Sequence, residues 1–183
     1  ITNHAGISDA HHTPAVPIWE LIGDVLISTP VASIEFSSIP SGYAAFLVIW
    51  NDIFNAYVNV IDFTMHFNGD SGANYDYSIQ PFNAISDTIH AATSLLIGIT
   101  GDSSEGIHSF GQIHIQNCVD AEKVYNGREL RIEESGSIPH DVKGSHLEGK
   151  WRNNSDEINT ITFSQEGQNF TAGSRIILLG IKT

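Results

Sequence analysis

The feature that most constrains this chain is a missing period. No stretch keeps apolar residues at the 3.6-residue spacing that lets a helix bury one face. Apolar and β-branched residues come instead in short runs, separated by Gly, Pro, Asn and Asp. Val25-Leu26-Ile27-Ser28-Thr29 and Ser33-Ile34-Glu35-Phe36 flank Pro30, and Ala45-Phe46-Leu47-Val48-Ile49-Trp50 reads as a central strand covered on both faces. Val58 to Phe67 largely alternates, as a half-buried strand does, and ends on Asn68-Gly69, a strong turn signal. Later candidates are Ser94–Ile99, Gly111–Gln116, Glu129–Glu133, Lys150–Arg152, Ile158–Phe163 and Ser174–Ile181. Eight to ten such strands predict an all-β, antiparallel β-sandwich, jelly-roll-like in its wrapping.

The core is affordable. Of 183 residues, 41% are hydrophobic, with nine Phe, five Tyr and three Trp, enough for one domain with a real interior. Residues 1–17 stand apart: they are short of large apolar groups, carry His4, His11 and His12, and end at Pro14 and Pro17. They are expected to form an arm or stalk remnant, with 18–183 as the sandwich head. The opening Ile1, with no initiator Met, fits a processed product or part of a longer chain.

Charge excludes some partners. Eight Lys and Arg against twenty-one Asp and Glu leave a net −13. A nucleic-acid backbone or an anionic membrane surface needs a basic footprint, and no apolar run approaches the length of a membrane span. A single cysteine, Cys118, rules out an internal disulfide, and it is expected to be a buried, inert thiol.

Asn68-Gly69-Asp70-Ser71-Gly72 contains Gly-Asp-Ser-Gly, the setting of the nucleophile in chymotrypsin-like proteases. A triad needs a base and an orienting carboxylate converging on the serine. His66 is five residues away, and Ala73-Asn74-Tyr75 does not continue the protease pattern. A turn that uses Asn, Gly and Asp for left-handed backbone and local hydrogen bonds is the expected role. The acidic stretches Asp70–Asp76 and Gly101–Gly106 lack a full set of calcium ligands and read as solvated loops.

His4, His11 and His12 match no zinc spacing within one chain. Three parallel copies would present three imidazoles per ring, so a metal shared between copies is the one cofactor considered. His66, His90, His108, His114, His140 and His146 are scattered singly, as packed or surface histidines are. Trp50 belongs in the core. Trp151, between Lys150 and Arg152, suits either the core or, with Tyr75 and Tyr77, a platform on which a sugar ring stacks.

The order of several elements resembles a known family. Ile34-Glu35-Phe36-Ser37-Ser38-Ile39-Pro40-Ser41-Gly42-Tyr43 leads into an apolar strand, followed by Phe67-Asn68-Gly69-Asp70-Ser71-Gly72-Ala73-Asn74-Tyr75-Asp76-Tyr77. Gly149-Lys150-Trp151, Ile158–Phe163, Phe170–Ile176 and the ending Leu178-Leu179-Gly180-Ile181-Lys182 come after. From Ile34 to Thr183 this is similar to C-terminal β-sandwich domains of tailed-bacteriophage virion proteins, found on fibres, tails and head surfaces. The Asn-Gly-Asp-Ser-Gly-x-Asn-Tyr stretch is its most specific piece, and the histidine-rich start resembles segments that precede phage fibre heads. Residues 84–107 have no counterpart in it. The resemblance implies a non-enzymatic, homotrimeric component of the virion surface that contacts other virion proteins or a host glycan or receptor. It carries over no catalytic or binding residue. A secreted carbohydrate-binding module is the alternative.

Overall fold

The computed structural model describes residues 18–55, 61–82, 86–102, 108–133 and 141–182. Among them there is no helix, and thirteen strands, numbered along the chain, form two sheets packed on each other. The larger sheet runs, in spatial order, β1 (Glu20–Leu26), β13 (Arg175–Lys182), β3 (Tyr43–Asn51), β9 (His108–Gln116), β10 (Lys123–Glu133), β11 (Asp141–Trp151), β6 (Tyr75–Pro81) and β7 (Asp87–Ala92). The smaller runs β2 (Ser33–Phe36), β12 (Ile161–Gln165), β5 (Ile61–Phe67), β8 (Leu95–Asp102) and β4 (Phe54–Asn55). Neighbours are antiparallel except β4 and β8, which pair in parallel over two residues. The expected β-sandwich is therefore present, and the chain crosses repeatedly from one sheet to the other as a jelly roll does.

Period-two alternation explains the interior. Phe46, Val48 and Trp50 of β3 point inward, as do Ile176 and Leu178 of β13, and they meet Phe63, Met65 and Phe67 from β5 across the sandwich. Trp50 packs edge-on against Phe63 with ring centroids 5.5 Å apart, and Trp151 meets Phe67 at the same distance. Each large side chain buried this way contributes about 1.5–3 kcal/mol.

The strands differ from the expected ones in particular places. The candidate Glu129–Glu133 is the end of β10, and Lys150 and Trp151 of the candidate Lys150–Arg152 are the end of β11, two eleven-residue strands paired along their whole length. β6 alternates Tyr75, Tyr77 and Ile79 with Asp76, Ser78 and Gln80, whereas β7, at the margin of the larger sheet, carries no clear alternation and is mostly exposed. Of the candidate Val58–Phe67, residues 61–67 form β5 and the rest lies outside the described residues, as do the 1–17 arm, residues 103–106 and His140.

Candidate functional site

The Asn-Gly-Asp-Ser-Gly stretch is the crossing from β5 in one sheet to β6 in the other. Asn68 and Gly69 adopt φ of 52° and 68°, the left-handed pair that a tight turn of this kind requires. The Asn68 side chain donates to the Glu157 carbonyl at 2.8 Å and accepts from the Asn159 and Thr160 amides at 2.9 and 3.1 Å. It thereby fastens the turn to the segment entering β12.

Asp70 is the hub. Oδ2 accepts from Trp151 Nε1 at 2.7 Å, Oδ1 from the Gly72 amide at 2.9 Å, and Asn74 Nδ2 reaches both oxygens. Partial burial works against its ionisation, but the bonds from Trp151, Gly72 and Asn74 outweigh that and hold the carboxyl below its ordinary range. Tyr75 completes the knot: its hydroxyl donates to the Asp70 carbonyl and accepts from the Phe67 amide, each at 3.0 Å. Burial pushes the Tyr75 phenol up to about 12, so it stays protonated.

This geometry answers two questions. Ser71 is exposed, and no hydrogen bond links it to His66, which sits half-buried on β5 with its pKa lowered by burial against the opposing pull of Glu35 and Asp70. Gly-Asp-Ser-Gly is a turn here. The same contacts spend the oxygens that a cation bound at Asp70 would use, and no group of three or more metal-ligating side chains occurs among the described residues.

Two of the three aromatic candidates for sugar stacking are corrected. Trp151 is 1% exposed and Tyr75 0%, their rings stacked 6.4 Å apart in the interior. Alternation along β11 sends Lys150 outward and Trp151 inward, so neither ring presents a face to a ligand. The cation beside Trp151 is Lys123, itself buried, with Nζ 6.0 Å from the ring centroid and donating to the Ala121 and Asn153 carbonyls. Tyr77 is half-buried. Cys118 is also corrected: it is exposed, because β9 ends at Gln116 and Asn117 takes the inward position, bonded to the Tyr43 carbonyl and the Ile158 amide. His4, His11 and His12 lie outside the described residues.

Tyr77 borders a recess on the outer sheet face that sequence reasoning partly reached. A shallow cleft of about 510 Å³ runs across β10, β11, β6 and β7 between two rows of outward side chains. Val124, Lys150 and Asp76 form one row, and Asn126, Glu148 and Ser78 the other. Asp76 is committed to Arg152, whose guanidinium holds its carboxyl far below the ordinary range, assisted by the Ala91 amide and His90. Lys150 pairs with Glu122 at 2.6 Å. Asn126, Glu148 and Thr88 leave hydrogen-bonding groups on the open side. The cleft floor is mostly apolar, with these polar groups along its sides.

Sequence reasoning missed a buried carboxylate. Glu129, on the inner face of β10, is 1% exposed and lies opposite Gly111 of β9 and Ser145 of β11. Burial raises its pKa to about 7, offset in part by the Arg131 charge at 2.9 Å, the Ile99 amide and the Ser145 hydroxyl. The signal was parity: with Tyr125 inside, alternation along β10 puts 129 inside as well.

Compared with protein-family models, with curated proteins and with solved structures, the chain matches none.

Proposed function

We propose that this chain is a structural, non-enzymatic component of a tailed-phage virion surface. In this reading a β-sandwich head on the 1–17 arm assembles as a homotrimer, in a fibre or as a head-surface appendage. It contacts a host or decorates the shell. The observation that carries it is the Asp70 knot. The stretch that most specifically resembles phage virion domains is spent on clamping the two sheets together through Asn68, Asp70, Tyr75 and Trp151. Residues engaged in this way build a scaffold.

Light scattering on the full chain tests the reading. A mass near three times 19.9 kDa supports it, and a monomer at every concentration rejects it. Repeating the measurement with a chelator, and with His4, His11 and His12 replaced by Ala, tests the shared metal. Loss of the trimer in either case supports a histidine site on the threefold axis.

A second reading, a secreted carbohydrate-binding module, draws on the outer-face cleft. With Trp151 and Tyr75 buried, it depends on Glu148 accepting from sugar hydroxyls and on Asn126 and Thr88 exchanging hydrogen bonds with them. Glycan-array binding by a monomer, abolished by Glu148→Ala, favours it over the first.

A further inference from the structure

The outer face of an antiparallel sheet normally carries polar side chains. On β3 the outward residues are Ala45, Leu47 and Ile49, and on β13 they are Ile177, Leu179 and Ile181. Leu47 lies directly opposite Leu179, and Ile49 opposite Ile177. β1 extends the patch at Leu21, which pairs with Leu179 and is 63% exposed; farther along, Asp24 lies opposite Ile177, and Leu26, 64% exposed, opposite Arg175. Ile18, just before β1, is 74% exposed, and Trp19 beside it reaches across β13 and β3 to meet His114 of β9 edge-on at 6.0 Å, covering one end of the patch. β1 is also the edge of its sheet among the described residues, interrupted by a bulge between Leu21 and Gly23 and carrying Glu20 and Asp24. An aliphatic face that reaches the edge strand and is covered only in part by Trp19 is suited to burial against another surface.

Charge indicates what covers it. The ionic groups of β1 and β13 cancel in pairs: Asp24 with Arg175 at 2.6 Å, and Glu20 with Lys182 at 2.7 Å. The chain as a whole carries −13, so two copies repel except where local charge cancels, and this face is such a place. The preceding residues 1–17 are a poor cover, having only Ile1, Ile7 and Val16 as large aliphatics. We propose that the outer face of β1, β13 and β3 is the surface through which copies of this chain associate. The inference rests on the multimeric reading above and locates its interface.

Sedimentation velocity on the full chain tests it with Leu21→Glu, Leu179→Glu and, on the distant half of the same sheet face, Leu130→Glu. Far-UV circular dichroism checks each fold, and Leu21, exposed on an edge strand, keeps the test open if Leu179→Glu misfolds. The expected result is a wild-type multimer whose dissociation constant rises more than about tenfold in L21E and L179E and is unchanged in L130E. Wild-type association should also tighten as salt screens the repulsion. If folded L21E keeps the wild-type mass, or L130E alone dissociates, the interface lies elsewhere while the multimer stands. If the wild type is monomeric at every concentration and salt, both readings fall.

Discussion

Asp70, in the turn that leaves β5, gathers Trp151 of the other sheet and two groups of its own loop on one carboxylate, whereas its neighbour Ser71 is exposed. Asp70→Ala strips the buried Trp151 indole N–H, the Gly72 amide and Asn74 of their acceptor. A lost charge-assisted bond together with an orphaned buried donor costs about 2–4 kcal/mol. Ser71→Ala, on exposed turn backbone, should stay within about 0.5 kcal/mol. Urea unfolding of the two variants checks this, and the opposite ranking would count against the knot. Glu129 adds a pH dependence of definite sign. Its folded pKa of about 7 exceeds the ordinary 4.5, so between those values the folded chain holds a proton that the unfolded chain has released. Its contribution to stability is therefore full below about pH 4.5, falls by at most about 1.4 kcal/mol per pH unit, and is gone above about 7. Unfolding measured from pH 4 to 8 should show this falling component in the wild type, and subtraction of the Glu129→Gln profile should isolate it.

At the scale of elements, β10 shows how parity and packing compete. Read alone, Glu129-Leu130-Arg131-Ile132-Glu133 places Leu130 and Ile132 in the core. The structure does the reverse: Leu130 is 43% exposed and Glu129 buried. Pairing with β9 and β11 over the full strand sets the register, and Tyr125, hydrogen-bonded to the Leu96 carbonyl at 2.8 Å, pins the odd-numbered face inward. Beside it, Gly111 makes room for Trp50. A Cβ at 111 would sit 2.1 Å from Trp50 Cζ2 and 2.6 Å from the Arg128 carbonyl oxygen. Gly111→Ala should cost about 1–3 kcal/mol, or more because backbone must move with the ring, with loss of Trp near-UV dichroism as a second readout. A stable Gly111→Ala with an unchanged Trp signal would mean that this contact is looser than described.

For the whole molecule, the imbalance of twenty-one acids over eight bases dominates the electrostatics. The close ion pairs, such as Asp76–Arg152 and Asp24–Arg175, are at the surface and individually worth little. Raising salt screens both attraction and repulsion, and with a net −13 repulsion is the larger. The melting temperature should therefore rise between about 20 mM and 0.5 M salt, by a few degrees. Calorimetry at fixed protein concentration checks it, and a fall would show that paired charges dominate.

The β class, the central strand at Ala45–Trp50 and the turn at Asn68-Gly69 were legible in the sequence because each depends on local preference: β-branched runs, uninterrupted apolarity, left-handed backbone. Trp50 as core followed from the same run. Other features depend on neighbours distant in the chain. Trp151 and Tyr75 are interior because Asp70, far from Trp151 in sequence, supplies the acceptor that makes a buried indole N–H tolerable. β7 exists because β6 offers it an edge to pair with, not because of its own pattern. The aliphatic outer face of β3 and β13 was hidden inside what reads as a doubly covered strand. A run of apolar residues says that both faces are dry, and only the arrangement of sheets shows that one of them is left half-buried, with Trp19 as the large side chain reaching across it.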